Sequence, residues 1–324
     1  MMQKNDLRIV FMGTPEFAVE TLKALVENDY NVVAVVTQPD KPVGRHGSVL
    51  QPSAVKQYAL GKGLPVLQPE KMKDPAFVEQ LRGYNANLQV VVAFRMLPEV
   101  VWAMPEYGTF NVHAALLPQY RGAAPINWAV INGETMTGVT TFFLDHDIDT
   151  GRIIMQLPFP IPDDADVEYV YDGLMHLGAD ICLQTLDRIV AADGHPESCE
   201  QDCTPLSTLK SAPKIFKETC LIDWTKTAKQ VYDFVRGLSP YPGAWTTLKS
   251  PDGKETVLKI FKTTKTELPA QGETGQLIPE KKHLYIACAD RLLQIDELQL
   301  AGKKRMDAQA FLNGMKDLEK YYAS

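Results

Sequence analysis

The amino-acid sequence predicts an α/β domain with a parallel sheet, followed by a smaller all-strand domain folded as a barrel or sandwich. In the front two thirds of the chain, apolar runs alternate with helical periodicity. In the last third, short strand-like runs are separated by turn residues. The length agrees with two domains, because 324 residues exceed what one hydrophobic core usually organises.

The front elements are predicted from two periodicities. Runs of Val, Ile, Leu and Phe favour strands buried on both faces of a parallel sheet, at residues 7–12, 30–37 and 88–94. Apolar residues at helical spacing favour helices, at residues 16–28 and 51–61. Ligands in such sheets bind beyond the carboxyl ends of the strands, so we expect a site near Gly13, Thr37 and Phe94.

The next elements complete this domain. Residues 109–113 and 139–144 are predicted to be strands, and residues 168–192 a long helix. The apolar stripe of that helix is broken once, by Thr185. We therefore expect Thr185 to be a polar residue on a buried helix face.

The domain boundary is predicted in residues 194–215, which are rich in Pro, Ser, Thr and Lys and favour a linker. This gives a front domain at 1–193 and a C-terminal domain at 216–324. The C-terminal domain is predicted to begin with a strand and a helix, and residues 250–253 carry a strong turn signal. It has three more basic than acidic residues, whereas the rest of the chain has ten more acidic than basic ones. This distribution is compatible with RNA contact by the C-terminal domain.

Composition excludes several classes of protein. No apolar run reaches the roughly 18 residues that a membrane helix needs, and the N-terminus lacks the apolar core of a signal peptide, so we expect a cytoplasmic protein. The odd, irregularly spaced cysteines do not predict a disulfide framework but reduced, mostly buried thiols. They are Cys182, Cys199, Cys203, Cys220 and Cys288. Cys199 and Cys203 lack the second ligand pair that a structural zinc site would need.

The densest chemical signal lies in residues 111–125 and 137–151. Asn111 and His113 are two residues apart, so on a strand both side chains point to one face. An amide beside an imidazole suits a carbonyl that gains negative charge during attack. One of the alternating carboxylates Asp145, Asp147 and Asp149 could fix the charge of the histidine and relay a proton. The alternatives are a structural Asn-x-His, or a calcium loop, although the glycine and distant glutamate of an EF-hand are missing.

Taken together, these motifs resemble those of the folate-dependent formyltransferases. Asn111-x-His113, the Leu-Leu-Pro loop at 116–118 and Asp149-Thr150-Gly151 carry the likeness. The stretches RIVFMGTPEFAVETLKAL at 8–25, QPDKPVGRHGSVLQPSAVK at 38–56, RGAAPI at 121–126 and AGKKRM at 301–306 resemble the methionyl-tRNA branch of the family. The likeness spans nearly the whole chain, including residues 222–224 and the AQAFLNG region.

The resemblance implies a fold and a reaction. It implies a Rossmann-type formyltransferase domain and a C-terminal domain related to the OB barrel. The reaction is direct attack by an amine on the formyl carbon of 10-formyltetrahydrofolate, without a metal or a covalent intermediate. Asn111 would stabilise the formyl oxygen, protonated His113 would assist it, and Asp149 would move the proton through water. The implied acceptor is methionyl-initiator tRNA, and we expect a monomer.

The resemblance also implies two sets of binding residues. The folate set is Phe94, Arg95, Met96, Leu97, Ala115, Leu116, Leu117, Pro118 and Asp145. The tRNA set is Lys41, Arg45, Lys303, Lys304 and Arg305. Two departures weaken the match, because Ala115 stands where the family usually has Ser, and the loop at 44–48 lacks two usual lysines. We expect the first to remove a hydroxyl contact and the second to reduce RNA affinity.

Three rival functions remain open at this stage. A sugar-nucleotide formyltransferase would use the same Asn-x-His and Leu-Leu-Pro, and residues 127–140 resemble that branch too. A deformylase would pass the formyl group to water and release formate. A non-catalytic RNA-binding protein could use the same scaffold, although the intact Asn111, His113 and Asp149 argue against it.

Overall fold

The computed structural model describes residues 2–43, 49–201 and 208–324. The chain divides into two compact units. Unit 1 comprises Met1–Gly122, Met136–Pro160 and Tyr171–Ser211, and unit 2 comprises Ala123–Thr135, Ile161–Val170 and Ala212–Ser324.

The elements are numbered along the chain. The strands are β1 (Arg8–Gly13), β2 (Asn31–Val36), β3 (Lys41–Val43), β4 (Val49–Gln51), β5 (Val66–Leu67), β6 (Leu88–Val92), β7 (Thr109–His113), β8 (Arg121–Gly122), β9 (Met136–Phe143), β10 (Ile153–Pro160), β11 (Ser211–Ala212), β12 (Ala244–Lys249), β13 (Glu255–Pro269), β14 (Leu277–Glu280), β15 (His283–Ala287), β16 (Arg291–Leu300), β17 (Met306–Asp307) and β18 (Tyr322–Ala323). The α-helices are α1 (Glu16–Glu27), α2 (Ala54–Gly61), α3 (Pro75–Arg82), α4 (Glu99–Trp102), α5 (Pro125–Ile131), α6 (Val167–Ala191), α7 (Ala228–Leu238) and α8 (Ala308–Gly314).

Unit 1 is built on a mixed sheet with the strand order β10-β9-β7-β6-β1-β2-β5. The strands from β7 to β5 in that order are parallel to one another. Strand β9 is antiparallel to both of its neighbours, β7 and β10. Every residue of β6 is buried, as expected for a strand covered on both faces. The predicted α/β fold is confirmed.

The polar break in the long helix α6 has a structural reason. Thr185 is fully buried, and its hydroxyl is hydrogen-bonded to that of Thr141 on β9 at 2.8 Å. Each hydroxyl satisfies the other, so the pair can lie in the core without the cost of an unpaired polar group.

Unit 2 contains an antiparallel sheet with the order β14-β15-β16-β13-β12-β18, and β17 pairs with β16. Its core joins residues of this sheet to α7 and α8, among them Val235, Ile260 and Phe311. Thr227 and Gln230 form a capping box that fixes the start of α7. An antiparallel half-barrel related to the OB fold is therefore confirmed.

Three local predictions differ from the structure. The helix predicted from residue 51 begins at Ala54, because the Ser53 hydroxyl caps it by accepting a hydrogen bond from the Lys56 amide at 3.0 Å. The strand predicted at the start of the C-terminal domain is only a single bridge between Leu221 and Trp245. Helix α5 was not predicted, and it packs in unit 2, where the Asn127 amide donates to the Gly237 carbonyl at 2.9 Å.

Candidate active site

The candidate site lies at the carboxyl end of β7, in unit 1. Asn111 is half-buried, and His113 is only 6% exposed. Alternation along the strand puts both side chains on one face. The parallel neighbour β6 ends in the same direction, which brings residues 93–97 to the same edge of the sheet.

The imidazole of His113 is fixed from two sides. Its Nε2 lies 2.9 Å from the Tyr120 carbonyl oxygen. A carbonyl can only accept, so Nε2 carries a hydrogen and donates it. Nδ1 therefore faces Asp149, whose Oδ2 is 3.9 Å away. That separation is too long for a hydrogen bond, so the two groups attract each other by charge once the ring is protonated.

The carboxylate of Asp149 is also held in place. Oδ2 accepts a hydrogen bond from the Gly122 amide at 2.9 Å. The backbone of Asp149 is left-handed, with φ of 54°. Gly151 follows two residues later, where a Cβ atom would lie 1.7 Å from the Phe143 carbonyl oxygen. Only glycine fits there, and this close approach fixes the turn that presents Asp149.

The other acidic residues build the turn itself. Asp145 Oδ1 accepts hydrogen bonds from the Thr150 hydroxyl at 2.7 Å and from the Asp147 amide at 3.2 Å. Asp145, predicted to bind folate, thus has one carboxylate oxygen occupied within its own loop. No group of three or more His, Cys, Asp or Glu that could hold a metal ion occurs within residues 2–43, 49–201 and 208–324.

The Leu-Leu-Pro loop is held by one buried threonine. Thr140 donates its hydroxyl to the Ala115 carbonyl at 2.6 Å and accepts from the Leu117 amide at 3.1 Å. Gln156 donates to both Thr140 Oγ1 and the Leu117 carbonyl, at 2.9 Å each. Ala115 and Leu117 are buried, whereas Leu116 and Pro118 are half-buried. Of the four predicted folate contacts in this loop, only these last two side chains present substantial surface.

The predicted folate residues at 94–97 also differ in how far their side chains are exposed. Met96 is 72% exposed and Phe94 is half-buried, so both can meet a ligand. The Arg95 guanidinium donates to the carbonyls of Glu70 and Pro69, and burial lowers its pKa. Leu97 is buried in the core. Arg95 and Leu97 therefore support the loop.

The predicted tRNA residues differ in their surroundings. Lys41 on β3 is exposed, and so are Lys303 and Lys304. Arg305 is paired with Glu297 at 2.6 Å and lies over the Phe261 ring, which partly offsets its charge. Arg45 lies outside the described residues, as does Cys203 of the Cys-x3-Cys pair.

Four residues that support the site are not identifiable as such from the sequence. Gln201 is only 9% exposed and contacts the Asp149 turn, although it lies in the segment predicted to be a linker. Arg121 belongs to the RGAAPI motif, but its partner could not be identified from that motif. Thr140 and Gln156 gave no signal, because a polar residue in a strand pattern does not indicate what it will contact.

None of the helices in the described part of the chain is both long and apolar enough to cross a bilayer.

A family model described as formyl transferase matches residues 7–186, and a model of the formyl transferase C-terminal domain matches residues 214–316. The methionyl-tRNA formyltransferase of Parabacteroides distasonis is 60% identical over 323 residues and covers 99% of each chain. That of Bacteroides thetaiotaomicron is 56% identical and covers 97% of this chain and 98% of its own.

Solved structures share the fold at low identity. WlaRD, a sugar 3N-formyl transferase crystallised with dTDP and 5-N-formyl-THF, matches with a TM-score of 0.63 and 18% identity, over 92% of this chain and 99% of its own. HypX from Aquifex aeolicus, in complex with tetrahydrofolic acid, matches with a TM-score of 0.60 and 20% identity over 95% of this chain. This chain spans about half the length of HypX, 47%.

Proposed function

This chain belongs to the methionyl-tRNA formyltransferase family, and on that premise we propose that it carries the formyl group of 10-formyltetrahydrofolate to the amino group of methionine on the initiator tRNA. The product, formylmethionyl-tRNA, serves translation initiation. The observation that carries this proposal is the approach of His113 and Asp149 to 3.9 Å at the end of the strand that bears Asn111.

The reaction needs an oxyanion donor and a route for one proton. The neutral amine attacks the formyl carbon, a C–N bond forms, and the formyl oxygen becomes an oxyanion. Asn111 donates its amide hydrogen to that oxygen, and protonated His113 adds positive charge beside it. Asp149 receives the amine proton through water. The bond from carbon to N10 then breaks, Asp149 returns that proton through water to N10, and tetrahydrofolate leaves.

The folate pocket is proposed at the edge of the sheet next to these groups. A pterin needs apolar faces and a polar edge. Phe94, Met96, Leu116 and Pro118 expose the apolar surface that could meet the ring. Backbone groups of the loops at 93–97 and 115–118 could supply the polar edge. Arg95, Leu97, Ala115 and Leu117 support these loops through the buried contacts and hydrogen bonds described above, whereas Asp145 supports the turn that carries Asp149.

The RNA contacts are proposed on exposed cations. Lys303 and Lys304 make no ion pair with any residue in the described part of the chain, so their charges are available for phosphate. Lys41 and Arg45 are proposed to contact the acceptor end. We also propose that the enzyme is a cytoplasmic monomer, and sedimentation of the purified chain tests its oligomeric state.

Labelled formyl-folate incubated with charged initiator tRNA tests the function directly. We expect label in formylmethionyl-tRNA, no transfer to an amino-sugar nucleotide, and no formate release without an acceptor. Label in the sugar would indicate the sugar-nucleotide reaction, and formate without an acceptor would indicate a deformylase. Absence of turnover with folate and tRNA both bound would indicate a non-catalytic protein.

Three alanine variants test the proposed roles of the site residues. Asn111→Ala, His113→Ala and Asp149→Ala should each lower kcat by about 10²-fold or more, since loss of one oxyanion donor costs about 10²–10³-fold. Circular dichroism should show that each variant is folded. An Asp149→Ala enzyme with near-normal kcat would exclude the proton route.

A further inference from the structure

Two side chains outside the proposed catalytic set form a closed ring of contacts with Asp149. Gln201 donates from Nε2 to the Asp149 carbonyl at 2.8 Å and to the Gly151 carbonyl at 2.9 Å. Its Oε1 accepts from Arg121 Nε at 3.1 Å and Nη2 at 2.6 Å. Gly122 is the next residue after Arg121, and its amide donates a hydrogen bond to the carboxylate of Asp149.

The Gln201 amide uses its full hydrogen-bonding capacity in this ring. An amide nitrogen has two hydrogens and an amide oxygen two lone pairs. Both hydrogens go to carbonyls of the Asp149 turn, and both lone pairs are taken by one guanidinium. Arg121 thereby fixes which end of the amide faces the turn, because a guanidinium can only donate. A glutamate at 201 could still pair with Arg121, but it could not donate to the two carbonyls.

The turn needs such support because of its backbone. Asp149 adopts a left-handed conformation, with φ of 54°, that residues other than glycine adopt at a cost. Gln201 bridges the carbonyls on either side of Thr150 and so resists relaxation of the turn. The Gly122 amide holds Oδ2 at the other end of Asp149, 3.9 Å from His113.

We infer that Gln201, oriented by Arg121, is a positioning residue that sets the Asp149 carboxylate against His113 for formyl transfer. The inference rests on the proposed role of Asp149. Gln201 lies in the predicted linker. It makes no described hydrogen bond to the proposed folate loops at 93–97 and 115–118. Its loss should therefore lower kcat and leave the KM for folate unchanged.

A double-mutant cycle distinguishes positioning from general structural support. Gln201→Glu keeps the size of the side chain and its pairing with Arg121 but removes both donors. We expect kcat to fall at least about tenfold, since a misplacement of about 1 Å can cost about 10²-fold. The KM for formyl-folate should stay within about twofold. In the Asp149→Ala background, Gln201→Glu should cost less than about twofold more, because the group it positions is gone.

The control and the wild type keep the outcomes separable. Glu200→Gln changes the neighbouring side chain, which is 80% exposed and pairs with Arg152 at 3.1 Å, and its kcat should match that of the wild type. If the wild-type enzyme transfers no formyl group, the proposed function itself is overturned. If the wild type is active, three results would each overturn the positioning role. They are a normal kcat in Gln201→Glu, a rise in its KM alone, or an equal loss of kcat in the wild-type and Asp149→Ala backgrounds. If Gln201→Glu unfolds at the assay temperature, Arg121→Met goes through the same cycle with the same deciding outcomes.

Discussion

Replacing Thr140 with valine tests how the Leu-Leu-Pro loop is held. The substitution keeps the shape of a fully buried side chain and removes its hydroxyl. The Ala115 carbonyl, the Leu117 amide and one Gln156 amide hydrogen then lose their partner. A buried polar group left unpaired costs about 1–3 kcal/mol. At the lower value, the three groups together cost about 3 kcal/mol of the free energy of unfolding.

This loss should appear in stability and in folate binding. For a unit of this size, each kcal/mol lowers Tm by about 2–4 °C, so we expect a decrease of about 6–12 °C. Folate must then spend binding free energy to order the loop. If this takes half of the roughly 3 kcal/mol lost, the KM for formyl-folate rises about tenfold, since about 1.4 kcal/mol corresponds to a factor of ten. Calorimetry and steady-state kinetics measure the two effects.

Thr137 on the same strand supplies a matched control. Its hydroxyl is buried without a hydrogen-bond partner among the described residues. Thr137→Val therefore removes an unpaired polar group and should leave Tm unchanged or raise it. A Thr140→Val variant that melts within about 2 °C of the wild type, or an equal loss of stability in both valine variants, would show that the Thr140 hydroxyl does not hold the loop.

Three further predictions concern the C-terminal charges, pH and a thiol. Replacing Lys303 and Lys304 with alanine should flatten the slope of log K against log salt for tRNA binding by up to about 2; an unchanged slope in filter-binding assays excludes phosphate contacts by these lysines. The hydrogen bond from Lys265 lowers the pKa of Asp163, so its stabilisation is complete above the unfolded value of about 3.9 and is lost as pH falls through the folded pKa. Lys265→Met should therefore shrink the difference in Tm between pH 7 and pH 3, and an unchanged difference contradicts the pairing. Burial raises the pKa of Cys288 to about 12, so this thiol should react with an aromatic disulfide reagent only after unfolding, and rapid labelling of the native protein would contradict its burial.

Local patterns were enough to predict the scaffold of the site. Residues 109–113 were predicted as a strand, and the structure has β7 with those bounds. Alternation along that strand then placed Asn111 and His113 on one face. Both inferences use only the period of the backbone and the length of an apolar run, which are properties of neighbouring residues.

The partners of individual side chains do not follow from local patterns. Arg95 and Asp145 stay predicted folate contacts; the structure adds that the Arg95 guanidinium donates to two nearby carbonyls and that Asp145 Oδ1 accepts hydrogen bonds within its own turn. Ala115 is predicted to lack a hydroxyl contact with the ligand, and the structure adds that its side chain is wholly buried. Residue type indicates what a group can bond, whereas burial and neighbours decide what it does bond.

The alternating strands and helices, the shared face of Asn111 and His113, and the resemblance to a family of known reaction all follow from the order of residues alone. Only the tertiary structure brought Gln201 to Asp149 and Arg121, which are 52 and 80 residues away along the chain. Helix α5 also packs in unit 2, although it lies within residues 7–186, which match the formyl transferase family model. A backbone period is set by adjacent residues, whereas a hydrogen bond across such a separation depends on the path of the whole chain.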